Sequence, residues 1–150
     1  MTSAANSIQI GGDHYRKMDP SYQHWDFVAD AGLGYYEGCA TKYIARHASK
    51  NGRQDLLKAR HYVTKLIELA DTSRVFHLTA YDVAHDRVKS AIRRFVHTVE
   101  GGRERELVFR LSTWVTIADL RWCLVELESL ADIAYPPEEG APDSGYVNQG

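Results

Sequence analysis

Lys42, Arg46 and Lys50 stand four residues apart, and after a Gly-containing break Asp55, Lys58, Tyr62 and Lys65 follow at intervals of three and four. On a helix, residues three or four apart are neighbours, so each set forms one row. Rows of Lys and Arg hold phosphate oxygens, Arg through two parallel bonds. Tyr43 and Tyr62 offer rings on which a base can stack, and Asp55 offers a carboxylate that orients a cation or accepts from a sugar or base N–H. A helix start just after Lys50 would add partial positive charge. These residue types together describe a groove for a phosphate and a base. Upstream, the run Gly11-Gly12-Asp13-His14-Tyr15 adds a histidine and a tyrosine that could close such a groove or simply tether an N-terminal arm. The plainer alternative stays open: a solvated helix edge, with Asp55 and Lys58 as a surface pair.

Two antiparallel helices are needed to bring the rows face to face. The spacing predicts one over Tyr35 to Ala48, with Tyr36, Ala40, Tyr43, Ile44 and His47 on its apolar face. A second, over about 53–71, buries Leu56, Ala59, Val63, Leu66, Ile67 and Ala70. Asn51 caps it with Gln54 at the third position, and the short Ser49–Arg53 turn makes the two helices neighbours. Ahead of them, residues 1–18 read as an irregular arm with Ile8 and Ile10 in a short strand-like contact. Asp19-Pro20-Ser21 then starts a helix carrying Trp25, Val28 and Ala29, which Gly32 and Gly34 end.

Beyond a polar connector at 72–78, Thr79 with Asp82 opens a fourth helix that buries Ala84, Val88, Ala91, Ile92, Phe95 and Val99. Gly101-Gly102 closes it. A fifth helix follows from Arg103 to Ala134, roughly 45 Å long at the standard helical rise. It carries Leu107, Leu111, Trp114, Ala118, Trp122 and Val125 on one stripe, with Ile117 and Leu124 spreading apolar surface beyond it. A second copy of the chain is the simplest cover, which predicts a homo-oligomer. Residues 136–150 form an acidic tail rich in Pro, Gly and Ser, expected to be disordered. The expected fold is an all-α bundle of about five helices with a long C-terminal helix. Residues 1–135 would make one domain, with 72–135 an added helical hairpin.

The chain has 150 residues, 44% hydrophobic and 25% charged, with a net charge of −2. That is ordinary for a single globular domain and argues against wrapping nucleic acid or an anionic membrane. Cys39 and Cys123 lack the spacing of a disulfide framework or a zinc site and read as reduced thiols. There is no signal peptide pattern and no apolar run near the ~20 residues of a membrane span, so a cytoplasmic location is expected. Glu68 and Asp71 resemble half of a magnesium-binding helical pyrophosphohydrolase motif, but Thr41 stands four residues after Glu37, where a second Glu would be needed. The seven histidines make no HExxH or HxH, and no P-loop or Rossmann glycine pattern occurs. No metal site is assigned. Arg87, Lys89, Arg93 and Arg94 make a basic face without interleaved aromatics, better read as solvated or intersubunit charge than as a nucleic-acid stripe.

The ordered set Gly11-Gly12-Asp13-His14-Tyr15, Lys42-Tyr43-Ile44-x-Arg46, Lys50, and Asp55-Leu56-x-Lys58-Ala59-x-x-Tyr62 resembles the phage SaV-like domain family over about residues 11–69. The same pattern occurs in a short-tailed coliphage nucleoside monophosphate kinase that has no P-loop. The resemblance implies a phage nucleotide-binding protein in an infected bacterium, oligomeric, and acting as a P-loop-less (deoxy)nucleoside monophosphate kinase. A nucleoside triphosphate would donate the phosphate. Lys42, Arg46 and Asp55 would be catalytic, and His14, Tyr15, Tyr43, Lys50, Lys58 and Tyr62 would bind the nucleotide. Two features depart from the pattern. Cys39 stands where the family often has Asn, and residues 72–135 have no counterpart. Two other readings follow: a non-catalytic counter-defence protein that sequesters a nucleotide signal, and a helical adaptor that binds a host protein through the fifth helix and its tryptophans.

Overall fold

The computed structural model describes residues 3–8, 21–74 and 84–138. The described residues form six α-helices and no strand, so the all-α expectation holds. The helices are α1 (His24–Ala31), α2 (Tyr35–Arg46), α3 (Arg53–Asp71), α4 (Asp86–Val96), α5 (Gly102–Thr113) and α6 (Ile117–Ala134). A 3-10 turn, His47–Ser49, follows α2. His14, Tyr15, Ile10, the Asp19-Pro20 helix start, the Thr79–Asp82 cap and residues 139–150 lie outside the described residues.

The centre of the molecule is the α2–α3 pair. Residue 46 meets 55 and residue 43 meets 62, the decreasing order of an antiparallel hairpin. Ile44 on α2 and Leu56, Ala59, Val63 and Leu66 on α3 are buried between them and their neighbours. Helix α6 lies along α3, also antiparallel, because Arg53 pairs with Asp132 and Arg60 with Glu128. Its Leu120, Cys123, Leu127, Leu130 and Ala131 face inward. Helix α5 packs on α2, and α4 packs on α1 through Phe27 and Phe95, stacked at 4.4 Å with 7° between their planes. Each fully buried Leu, Val or Phe contributes about 1.5–3 kcal/mol through removal from water.

The structure changes four expectations. On α1, Phe27 and Ala31 are buried rather than Trp25 and Ala29, because the inward face is fixed by a partner 68 positions away, Phe95. Trp25 is 52% exposed, and its indole N–H donates to the Asn6 Oδ1. The Asn6 amide in turn donates to Asp26 at 2.8 Å, so residues 3–8 are tied to α1 through turns. Ile8, expected in a strand-like contact, is exposed there. On α4, the helix begins at Asp86, with the His85 ring accepting from the Arg87 N–H at 3.3 Å, and Ala84 is exposed.

The fourth change is larger: the single helix expected from 103 to 134 is two helices. Trp114 has ψ 141° and Thr116 φ −119°, ψ 158°, both extended. Asp119 accepts from the Thr116 N–H at 2.8 Å and the Val115 N–H at 2.9 Å, while the Thr116 hydroxyl accepts from the Asp119 N–H. This capping box starts α6 afresh and folds it back on α5. The turn drives Trp114 inward, where its indole N–H donates to Glu37 Oε1 at 3.2 Å. Much of the apolar surface expected to need a second copy is thereby covered within the chain. Phe109, Val115, Trp122, Val125 and Ile133 remain exposed. No described helix is long and apolar enough to cross a membrane.

Candidate functional site: a tyrosine ring ringed by cations

Tyr43 sits on the α2 edge nearest α3, and three cations converge on its ring. Lys42 Nζ lies 4.9 Å from the ring centroid, Arg46 Cζ 4.7 Å and Lys58 Nζ 5.4 Å. Helical spacing explains the group, since Arg46 is three residues beyond Tyr43 and Lys58 comes from the facing α3 edge. The ring's negative face attracts each cation by about 0.5–2 kcal/mol, which offsets part of their mutual repulsion. Tyr62 stacks beside Tyr43 at 5.9 Å with 20° between planes. Tyr35, 67% exposed at the start of α2, meets Tyr62 edge-on at 5.9 Å. Hydrogen bonding with Tyr35, then burial, holds the Tyr62 phenol above its ordinary pKa, so it stays protonated.

Asp55 is the carboxylate that serves this cluster, and it has no exposed surface. Its Oδ2 accepts from Arg46 Nε at 3.2 Å and its Oδ1 from Arg46 Nη2 at 3.3 Å, a forked pair. The Asn51 N–H adds a third bond at 3.4 Å. Asp55 thus fixes the guanidinium of Arg46, whose side chain is 13% exposed, and ties the turn to the start of α3. It is not the surface partner of Lys58. Lys42 and Lys58 make no ion pair among the described residues.

A neutral histidine lies within reach of the Lys42 charge. His24 Nε2 is 2.9 Å from the Thr41 hydroxyl, which donates its own proton to the Glu37 carbonyl at 2.8 Å. The imidazole must therefore be the donor. Burial first, and the charge of Lys42 second, push its pKa down to about 3. His24 packs edge-on against Phe27 and Phe95 and adds no charge there.

Six of the residues marked from sequence are brought together: Lys42, Tyr43, Arg46, Asp55, Lys58 and Tyr62. Lys50 is exposed in the turn and is not one of the cations over Tyr43. Lys65 pairs with Glu68 on the surface at 3.1 Å. No group of three or more His, Cys, Asp or Glu that could hold a metal occurs among the described residues.

A second polar centre gave no signal in the sequence. His47, expected simply on an apolar face, is buried with both nitrogens engaged. Its Nε2 donates to Glu104 Oε1 at 2.9 Å, and its Nδ1 lies 2.7 Å from the Tyr135 hydroxyl. Burial, then Glu104 and Asp55, raise the Tyr135 phenol above its ordinary pKa. The Tyr135 ring covers Gly52, where a Cβ would sit 3.0 Å from Tyr135 Cε1 and where φ is +55°. Glycine is required there both for the backbone and for the space. The partners of His47 lie 57 and 88 residues away, beyond the reach of any local pattern.

The arrangement presents two ammonium groups without an ion pair among the described residues and one anchored guanidinium beside a run of tyrosine rings. Phosphate oxygens fit the cations, and a planar base fits the rings. No curated protein and no solved structure matches the chain. Residues 11–64, which contain every member of the ring cluster, match the model of the family DUF3310, a protein of unknown function; that match carries no activity and no link to the SaV-like family or to a kinase.

Proposed function

We propose that the chain binds a nucleotide on the α2–α3 face. The phosphates lie on Lys42, Lys58 and the exposed edge of Arg46, and the base lies against Tyr62 and Tyr35. The observation that carries this reading is the convergence of three cations on Tyr43 with one enclosed carboxylate among them. The finer proposal, nucleoside monophosphate kinase activity, rests on the resemblance described above. An oxygen of the monophosphate attacks the γ-phosphorus of a triphosphate, and the bond to the leaving diphosphate breaks, giving two diphosphates. Positioning and charge neutralisation are most of what such a transfer needs, and the cation cluster can supply both.

The test is calorimetric titration with a deoxynucleoside monophosphate and with ATP, followed by analysis of products. Lys42→Ala and Lys58→Ala each weaken binding by about tenfold or more, the worth of one charge-assisted contact. Wild-type affinity in both variants would refute the site. A second reading is favoured by the enclosure of Asp55, which leaves that carboxylate no surface from which to meet an acceptor. In that case the nucleotide is held without turnover. Formation of nucleoside diphosphate from monophosphate and triphosphate supports the kinase, and nucleotide recovered unchanged after denaturation supports sequestration. Exposed Phe109, Trp122, Val125 and Ile133 support self-association as a further property.

A further inference from the structure

Away from the Tyr43 cluster, α4 and α5 enclose a groove of about 480 Å³ lined by Lys89, Ile92, Arg93, Val96, His97, Phe109 and Thr113. Residues 89, 92, 93, 96 and 97 form one continuous face of α4, and Phe109 and Thr113 are one turn apart on α5. Ile92, Val96 and Phe109 make an apolar floor and wall. Phe109 is 46% exposed, so part of that wall is open to solvent. The volume falls within the range of small-molecule sites, about 300–1,000 Å³.

The charges sort themselves around it. Of the four Lys and Arg residues on α4, Arg87 pairs with Asp30 at 3.3 Å, and Arg94 lies over the Tyr22 ring at 4.1 Å while donating to Ser21. Both are engaged on the α1 side. Lys89 and Arg93 stand four residues apart on the groove rim, and their side chains make no ion pair or hydrogen bond among the described residues. No carboxylate lines the groove among the described residues. The Thr113 hydroxyl donates to the Phe109 carbonyl at 2.9 Å, which leaves its oxygen lone pairs as acceptors.

We propose that this groove binds a small free organic anion with an apolar body, such as a medium-chain or aromatic carboxylate, sulfonate or phosphate. The body lies on Ile92, Val96 and Phe109, and the anionic group sits between Lys89 and Arg93. The apolar floor accounts for the apolar body, and the two cations, whose side chains have no partner among the described residues, account for the anion; an uncharged hydrocarbon would leave the rim unused. This site is independent of the nucleotide face, since none of its residues belongs to the Tyr43 cluster.

The experiment uses the full chain and 8-anilino-1-naphthalenesulfonate, whose fluorescence rises on transfer to an apolar site, with decanoate as competitor. Saturable binding of one probe per chain, displaced by decanoate, is expected. Because Lys89 and Arg93 are exposed, K89E and R93E should melt like wild type and weaken probe binding by about tenfold each. F109S, which removes the wall, should weaken it too, and K42A should leave it unchanged. Unsaturable binding, or equal binding in K89E, R93E and wild type, overturns the proposal. So does a wild-type protein that excludes the probe because a second copy covers the groove, read as a dimer by sedimentation. If ATP displaces the probe from wild type but not from K42A, the probe was reading the nucleotide face and the groove assignment fails.

Discussion

Asp55 and His24 are both enclosed polar groups near a cation of the cluster, Asp55 on Arg46 and His24 near Lys42, and they behave oppositely. Asp55 is satisfied by three donors, two of them from Arg46. Removing one partner of a buried ion pair leaves the other uncompensated, a loss of about 3–5 kcal/mol. Asp55→Ala should therefore lower the free energy of unfolding in urea by about that amount, and Asp55→Asn by less, because the amide still accepts a bond. A loss below about 0.5 kcal/mol for Asp55→Ala would mean the pair is no more than a surface contact. His24 is held neutral, with its pKa pushed from 6.5 to about 3 by burial and by Lys42. A folded value below the unfolded one means that the unfolded chain takes up the proton first. The contribution to stability is thus full above pH 6.5 and is lost as pH falls towards 3, with a slope of up to about 1.4 kcal/mol per pH unit. Between pH 7 and pH 5 the stability difference between wild type and His24→Gln should shrink by about 2 kcal/mol in urea titrations. Parallel pH profiles would remove His24 as a source of acid sensitivity.

Among the elements, the break between α5 and α6 depends on a few atoms. The Thr116 side chain and the Asp119 carboxylate satisfy N–H groups that the start of α6 would otherwise leave open. Thr116→Ala should cost about 1 kcal/mol and lower the melting temperature by about 2–4 °C. An unchanged melting temperature in both Thr116→Ala and Asp119→Ala would show that packing of Trp114 alone sets the turn. The same cap shows how far local pattern reaches. The α2–α3 hairpin was readable because its apolar faces, its turn and its two charged rows all recur at helical spacing within one stretch, so Lys42, Tyr43, Arg46, Lys58 and Tyr62 could be placed together. Thr116-x-x-Asp119 was equally local, but it lies within a run of leucines and tryptophans whose period continues across it, and periodicity masked the stop. On α1, both Trp25 and Phe27 suited an apolar face, and the deciding partner, Phe95, was far along the chain. Asp55 had the right position and the wrong environment: spacing placed it on an edge, whereas its burial depends on the turn folding back over it.

At the scale of the molecule, the stretch that matches a family ends at residue 64, inside α3, but the core does not close there. The buried face of α3 that carries Leu56, Ala59, Val63 and Leu66 lies against α6, and Phe27 of α1 stacks on Phe95 of α4. His47 and Gly52, at the turn that sets Arg46 and Asp55, are held by Glu104 and Tyr135 from the other half. A fragment of residues 1–74 would expose all of these surfaces. A chain of about 60–75 residues buries only about 60% of its unfolded surface even when its core is intact, so little margin exists to lose it. The fragment should therefore show helical circular dichroism without a cooperative melt, and it should bind nucleotides far more weakly than the whole chain. Within the intact chain, Tyr135→Phe isolates one strut of this support. It leaves a buried His47 nitrogen without its partner, costs about 1–3 kcal/mol, and keeps the ring over Gly52. If the fragment melts cooperatively and binds like the full chain, α4 to α6 are an addition to a self-sufficient unit. If it does not, and Tyr135→Phe folds with reduced stability, the second half is the scaffold that holds the cation cluster in place.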